Sequence, residues 1–217
     1  MDFRNAKELL KVCQEQGLSI SAVMLQRELT EGEQDPEETD RKMDRVLEIM
    51  KSAASTPIHT PVKSMGGLIG GEAKKISDHK DTGKGLCGDL LERAVIYAMA
   101  TLETNASMGV IVASPTAGSA GIVPGLLLAL QETYDLSDEQ IKQGLYNASA
   151  IGYLAMRNAT VAGAVGGCQA EVGIASAMAA SATVELMGGS PEQSLAAAST
   201  VLMNMLGLVC DPVGGLV

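Results

Sequence analysis

With one Phe, four Tyr and no Trp in 217 residues, this chain has to build its core almost without aromatic bulk. Hydrophobic residues still make up 46% of it, supplied by Ala, Val, Leu, Ile and Met, and 24 residues are Gly. Small residues let helix backbones approach closely, so the composition predicts tight helix–helix packing. A chain of this length buries a substantial core without disulfides or metals. Charge is unevenly spread along it. Up to Thr104, Lys, Arg, Asp and Glu are frequent, and beyond it the chain is Ala/Gly-rich and sparsely charged. The first stretch reads as surface-exposed helices and the second as core.

A membrane span needs about 20 consecutive apolar residues. The best candidate, Gln193 to Cys210, has Ser, Thr and Asn among its apolar residues, which suits a buried helix better. A formal net charge of -10 disfavours both nucleic acid and anionic membranes. The start, MDFRNAKELLKV, is a charged amphipathic pattern without a secretory h-region, so the cytoplasm is the expected location. Four scattered cysteines, Cys13, Cys87, Cys168 and Cys210, do not suggest a disulfide framework.

Local signals predict a mainly α fold, a compact helical domain with Gly-rich loops and little or no β-sheet. Asn5 to Gln16 carries Leu9, Leu10 and Cys13 at helical spacing and stops at Gly17. Ser19 is placed to cap a second helix. Asp35 and Pro36 are placed to open a third, striped by Met43, Val46, Leu47 and Met50. Residues 1–55 thus form one group of amphipathic helices, with nothing in them that suggests chemistry. From Thr56 to Gly88 the pattern breaks into a long Pro/Gly-rich segment of the kind that is usually functional or disordered. Within 56–217, helices are expected at Asp89–Ser107, Pro124–Tyr134, after Ser137 to about Met156, Cys168–Met187, and after Ser190 to about Leu206.

Three glycine turns interrupt these helices. Ser64, Gly66 and Gly67 belong to the first, SMGGLIGG, whose missing Cβ atoms let backbone N–H groups approach an anion. Thr116, Ala117, Gly118 and Ser119 belong to the second, SPTAGSAG, directly before an apolar helix. The third, VAGAVGG, meets a helix at Cys168, a location that favours the thiolate. Cys210 sits at another helix-to-loop junction. Thiolates in such settings suit iron–sulfur ligation, and inert buried thiols are the alternative.

The segments SPTAGSAG, GGCQAEVG and NMLGLVCDPVGGLV, in this order, resemble the α chain of the iron–sulfur L-serine dehydratases. FRNAKELL, SMGGLIGGEA, NASMGV and GGSPEQS fit as well, so the resemblance is colinear over the whole chain. It implies a lyase that converts L-serine to pyruvate and ammonia without pyridoxal phosphate, using a [4Fe-4S] cluster held by three cysteines. The open iron then acts as Lewis acid on the substrate hydroxyl. By motif match Cys168 and Cys210 carry over as two ligands. The third cysteine of the family pattern lies just past Val217, so the chain is read as an α chain lacking its C-terminal part. On this reading 56–217 is the cluster- and substrate-binding domain. Ser64, Gly66, Gly67, Thr116, Ala117, Gly118 and Ser119 are expected to hold the substrate carboxylate, with no residue singled out as base. The resemblance also implies a β-chain partner and an oligomer. The alternatives are a non-catalytic, cluster-deficient partner subunit and a dehydratase of another hydroxy or amino acid.

Overall fold

The computed structural model describes residues 2–32 and 35–209, and among these it holds ten α-helices and no strand. They are α1 (Ala6–Gln16), α2 (Ile20–Glu31), α3 (Pro36–His59), α4 (Glu72–Asp81), α5 (Asp89–Ala106), α6 (Ile122–Tyr134), α7 (Asp138–Asn158), α8 (Gly163–Gly166), α9 (Cys168–Leu186) and α10 (Pro191–Met205). The mainly helical expectation is met. No helix among the described residues is long and apolar enough to cross a membrane.

Most helix starts are written locally. The side chains of Asn5, Ser19 and Asp35 each accept a backbone N–H in the first turn of α1, α2 and α3. Ser137 and Ser190 form full capping boxes with Gln140 and Gln193. Gly17 ends α1 at φ 66°, a conformation Gly adopts without a steric cost.

The core lies on both sides of α7. On one side Leu127, Leu130, Ile141, Leu145, Ile174, Met178 and Ala182 pack together with Leu47 and Met50 of α3. On the other, Phe3, Leu9, Ile20 and Val23 close against Tyr146 and Ala150. Each fully buried Leu or Ile contributes roughly 1.5–3 kcal/mol of transfer free energy. Small residues set the closest approaches, as the composition predicts. A Cβ on Gly121 would lie 2.5 Å from the Ala98 carbonyl oxygen, and one on Gly125 would lie 2.9 Å from that of Ala94. The crossing of α5 and α6 is therefore closed to anything larger than Gly at those positions. Lys142, nearly buried on α7, ties that helix to α3 through Asp40 at 2.6 Å and Asp44 at 2.9 Å.

The structure departs from the sequence reading between Thr56 and Gly88. Helix α3 continues through Pro57 to His59, and α4 lies inside the segment read as irregular. Both departures depend on α5. Pro57 has no N–H for the Ala53 carbonyl, which would orphan a buried acceptor. The Thr104 hydroxyl donates to that oxygen instead, at 2.9 Å, so the helix survives its proline. Helix α4 has no side-chain cap of its own at Gly71. Its start is held by the Glu103 carboxylate, which accepts from the N–H groups of Gly71 at 3.0 Å and Ala73 at 2.8 Å. His59 and His79, inside that segment, are accordingly helical, and both are exposed.

Candidate functional site

The C-terminal end of α5 gathers the first two glycine turns. In the first, the Ser64 N–H donates to the Ile69 carbonyl at 2.9 Å, and the Ser64 hydroxyl accepts from the Ile69 N–H at 3.2 Å. The Met65 N–H donates to the Ala106 carbonyl at 3.0 Å, which fixes this loop to the end of α5. Gly67 takes φ 69° and Gly70 φ 144°. Gly70 is also hemmed by backbone, since a Cβ there would lie 2.2 Å from the Val62 carbonyl oxygen. Its N–H donates to Glu72 at 2.6 Å, and this bond holds the Glu72 carboxyl below the usual carboxylate range. Ser64 is half-buried, whereas Gly66 and Gly67 are exposed. The N–H groups of Gly66 and Leu68 have no acceptor among the described residues.

The second turn is tied to the same place, because the Asn105 amide donates to the Ala117 carbonyl at 3.0 Å. Inside it, Thr116 and Ser119 exchange backbone-to-hydroxyl bonds at 3.3 and 3.4 Å, and their hydroxyls share another at 3.0 Å. Ser119 is buried and serves as the turn's internal stitch; the next residues enter α6 against α5. Thr116 is half-buried, and Ala117 and Gly118 are exposed. The N–H groups of Ala117 and Gly118 also lack an acceptor among the described residues. The accessible donors therefore lie at Ala117 and Gly118, upstream of the buried start of α6.

The third turn joins them through a residue that the sequence reading did not single out. Glu171 lies one helical turn after Cys168, on the same face of α9. Its Oε2 accepts from the Thr116 hydroxyl at 3.2 Å. A Cβ on Gly118 would stand 2.5 Å from Oε1, and one on Gly163 would stand 2.6 Å from Oε2. Two glycine turns thus leave room for one carboxylate. The available signal was the quoted motif GGCQAEVG itself, which holds a carboxylate at helical spacing from the cysteine. Cys168 begins α9 behind Gly167, which has φ 75° and no side-chain cap bond. Cys168 is half-buried at this helix N-terminus.

Cys210 lies outside the described residues. The described chain leading to it is fastened beside the start of α9, where the Gly207 N–H donates to Gln169 Oε1 at 2.8 Å. Among the described residues, no three His, Cys, Asp or Glu side chains are grouped to hold a metal ion. Cys13 is buried and Cys87 exposed.

The turns carry an apolar rim. Met65 is 80% exposed, Met108 77% and Val165 77%, and Leu68 and Val110 are also open to solvent. Chemically, the linked turns offer backbone N–H donors for a carboxylate, a hydroxyl, an acidic side chain and a thiol.

Comparison with known proteins gives a single answer. The family model described as "Serine dehydratase alpha chain" matches residues 15–217. A protein of Bacillus subtilis called "Probable L-serine dehydratase, alpha chain" is 48% identical over 215 residues, covering 99% of this chain and 71% of the relative. The "L-serine dehydratase, alpha chain" of Peptoniphilus asaccharolyticus is 44% identical over 215 residues, 99% of this chain and 74% of its own length. An "L-serine dehydratase" of Streptomyces coelicolor is 39% identical over 221 residues, 99% of this chain and 47% of its own.

Proposed function

The chain belongs to the serine dehydratase alpha chain family, and from that premise we propose that it is the α subunit of an L-serine dehydratase, a lyase that converts L-serine to pyruvate and ammonia. The observation that carries this reading is the meeting of the second and third glycine turns on Thr116 and Glu171, one helical turn from Cys168, with the first turn tied to the same end of α5 as the second. Substrate enters with its carboxylate toward the unclaimed N–H groups of Ala117 and Gly118, and those of Gly66 and Leu68 offer a second pair. Backbone donors fixed by Ser64, Ser119 and the end of α5 need no reorganisation when an anion arrives. Thr116 is held by its bonds to Ser119 and Glu171, so its hydroxyl has one orientation.

A [4Fe-4S] cluster, with Cys168 and Cys210 as two of its ligands, would supply the Lewis acid that eases departure of the substrate hydroxyl. The chain's own part is to hold Cys168 at the uncapped start of α9 and to keep the described end of the chain beside it through Gln169. The exposed apolar rim of Met65, Leu68, Met108, Val110 and Val165 supports a partner β chain that covers the turns and excludes water. A cytoplasmic location fits an oxygen-sensitive cluster of this kind.

The test is anaerobic iron–sulfur reconstitution of the chain, with and without a β chain, read by visible absorption and by pyruvate formed from L-serine. Cluster absorption and pyruvate that both fall away in Cys168→Ala support the assignment. A protein that makes pyruvate without iron would end the cluster mechanism. One that binds iron but leaves serine untouched would favour the non-catalytic alternative.

A further inference from the structure

Resting on the reading above, we infer that Glu171 is the residue that selects an amino acid over a hydroxy acid, by receiving the substrate's α-ammonium group.

Three observations lead there. First, the carboxylate is under-answered. Two other glutamates that fasten helices inside the fold have their oxygens taken by N–H donors: Glu103 by the N–H groups of Gly71 and Ala73, and Glu185 by the Asn147 amide and the Ser21 N–H. Glu171 accepts only from the Thr116 hydroxyl and has no cationic side chain within ion-pair distance among the described residues. An ionised carboxylate offers about four acceptor sites, so most of its capacity stays open. A half-buried anion in this state lacks a cation partner.

Second, its position is built. Gly118 and Gly163 are the two places where a side chain would displace the carboxylate, at 2.5 and 2.6 Å from its oxygens. A residue that merely finished a helix would not need two separate turns cleared around it.

Third, the neighbouring donors are of the opposite kind. The N–H groups of Ala117 and Gly118 are unclaimed on the same turn whose glycine touches Glu171. Donors for an anion beside an acceptor for a cation match the carboxylate and ammonium on one α-carbon. A 2-hydroxy acid satisfies the first half and leaves the acid unmatched.

The test uses the full chain, reconstituted together with its β chain, in the wild-type form and as Glu171→Gln and Glu171→Asp. Glutamine keeps the shape and the Thr116 bond but loses the charge. Equilibrium binding of L-serine and of L-glycerate, the analogue with hydroxyl in place of ammonium, is measured beside steady-state kinetics and thermal unfolding. Loss of one charge-assisted hydrogen bond weakens binding roughly 10- to 100-fold. That loss is expected for L-serine in Glu171→Gln, as a raised Kd and KM, while L-glycerate binds as before or more tightly. Glu171→Asp recovers part of the preference, and the unfolding temperature stays put. Equal losses for both ligands, an unchanged KM for serine, or a wild-type protein that binds serine no better than glycerate would overturn the inference. If wild type shows the Glu171-dependent preference yet makes no pyruvate, the reaction assigned above fails and this inference stands. If wild type makes pyruvate and Glu171→Gln keeps its KM, the opposite holds.

Discussion

Two corners of this molecule are built from the same parts and left in different states. At the start of α4, glycines meet the Glu103 carboxylate; at the start of α9, glycines meet that of Glu171. Glu103 is 2% exposed, and both its oxygens are taken by backbone N–H groups that α4 cannot otherwise satisfy. Glu171 is half-buried and holds a single hydroxyl. A saturated carboxylate works as a structural cap, and an unsaturated one with cleared space around it works as a receptor. The contrast separates structure from function without reference to residue type.

The sharpest way to break that contrast is to remove Glu103. Glu103→Ala leaves two helix-start donors in a buried place without an acceptor, and each lost charged bond costs about 1.5–3 kcal/mol. The expected loss is about 4 kcal/mol in urea unfolding, with the 64–71 loop released from α5. A loss below about 1 kcal/mol would mean that water takes over the cap and that this corner is as open as the other.

Substituting the glycines gives the next effect, and its size differs between the corners. At Gly70 a Cβ meets backbone: the Val62 oxygen at 2.2 Å and the Lys63 Cα at 2.8 Å, at a φ of 144°. Backbone cannot step aside, so Gly70→Ala is expected to cost about 3 kcal/mol. At Gly118 the Cβ meets only the far end of the Glu171 side chain. Gly118→Ala should cost less than about 1 kcal/mol of stability, because a flexible side chain can rotate away. Its cost appears in serine affinity instead, roughly 10-fold weaker, since the displaced carboxylate no longer faces the turn. Unfolding and binding measured on both variants decide it. Equal stability losses would erase the distinction between wall and receptor.

The same two corners show what the sequence can and cannot state. Asn5, Ser19, Asp35, Ser137 and Ser190 act on N–H groups three residues ahead, so each cap is legible in its own few residues. Helix α4 and the end of α3 were not legible, because the groups that satisfy their backbones, Glu103 and Thr104, come from α5. Local propensity reads Pro57 and the paired glycines as breaks, and tertiary partners overrule it. The glycine turns of the site were legible as cleared backbone, and the small-residue core as close helix approach. What they were cleared for was not, because Gly118, Gly163 and Glu171 meet only in the fold. The helical spacing between Cys168 and Glu171 was the one local trace of it.

The smallest effect concerns two thiols that repeat the contrast of closed and open. Cys13, buried between α1 and its neighbours, has its thiol pushed up to about 11 by burial first and then by the negative charges of Glu185 and Glu192. Cys87 is exposed on the loop before α5. The thiolate is the reacting form, so at pH 8 a water-soluble disulfide reagent should mark Cys87 readily and Cys13 at least about 100-fold more slowly, as peptide mapping would read. The sign of the linked stability follows. A thiol whose folded value is raised favours the folded state below its unfolded value near 8.5, and that contribution is lost as pH climbs from there through about 11. Alkaline unfolding of Cys13→Ala should therefore be less steep over that window than that of the wild type. An equally steep profile, or fast labelling of Cys13 at pH 8, would mean that the α1 corner opens on its own and that its closure is only apparent.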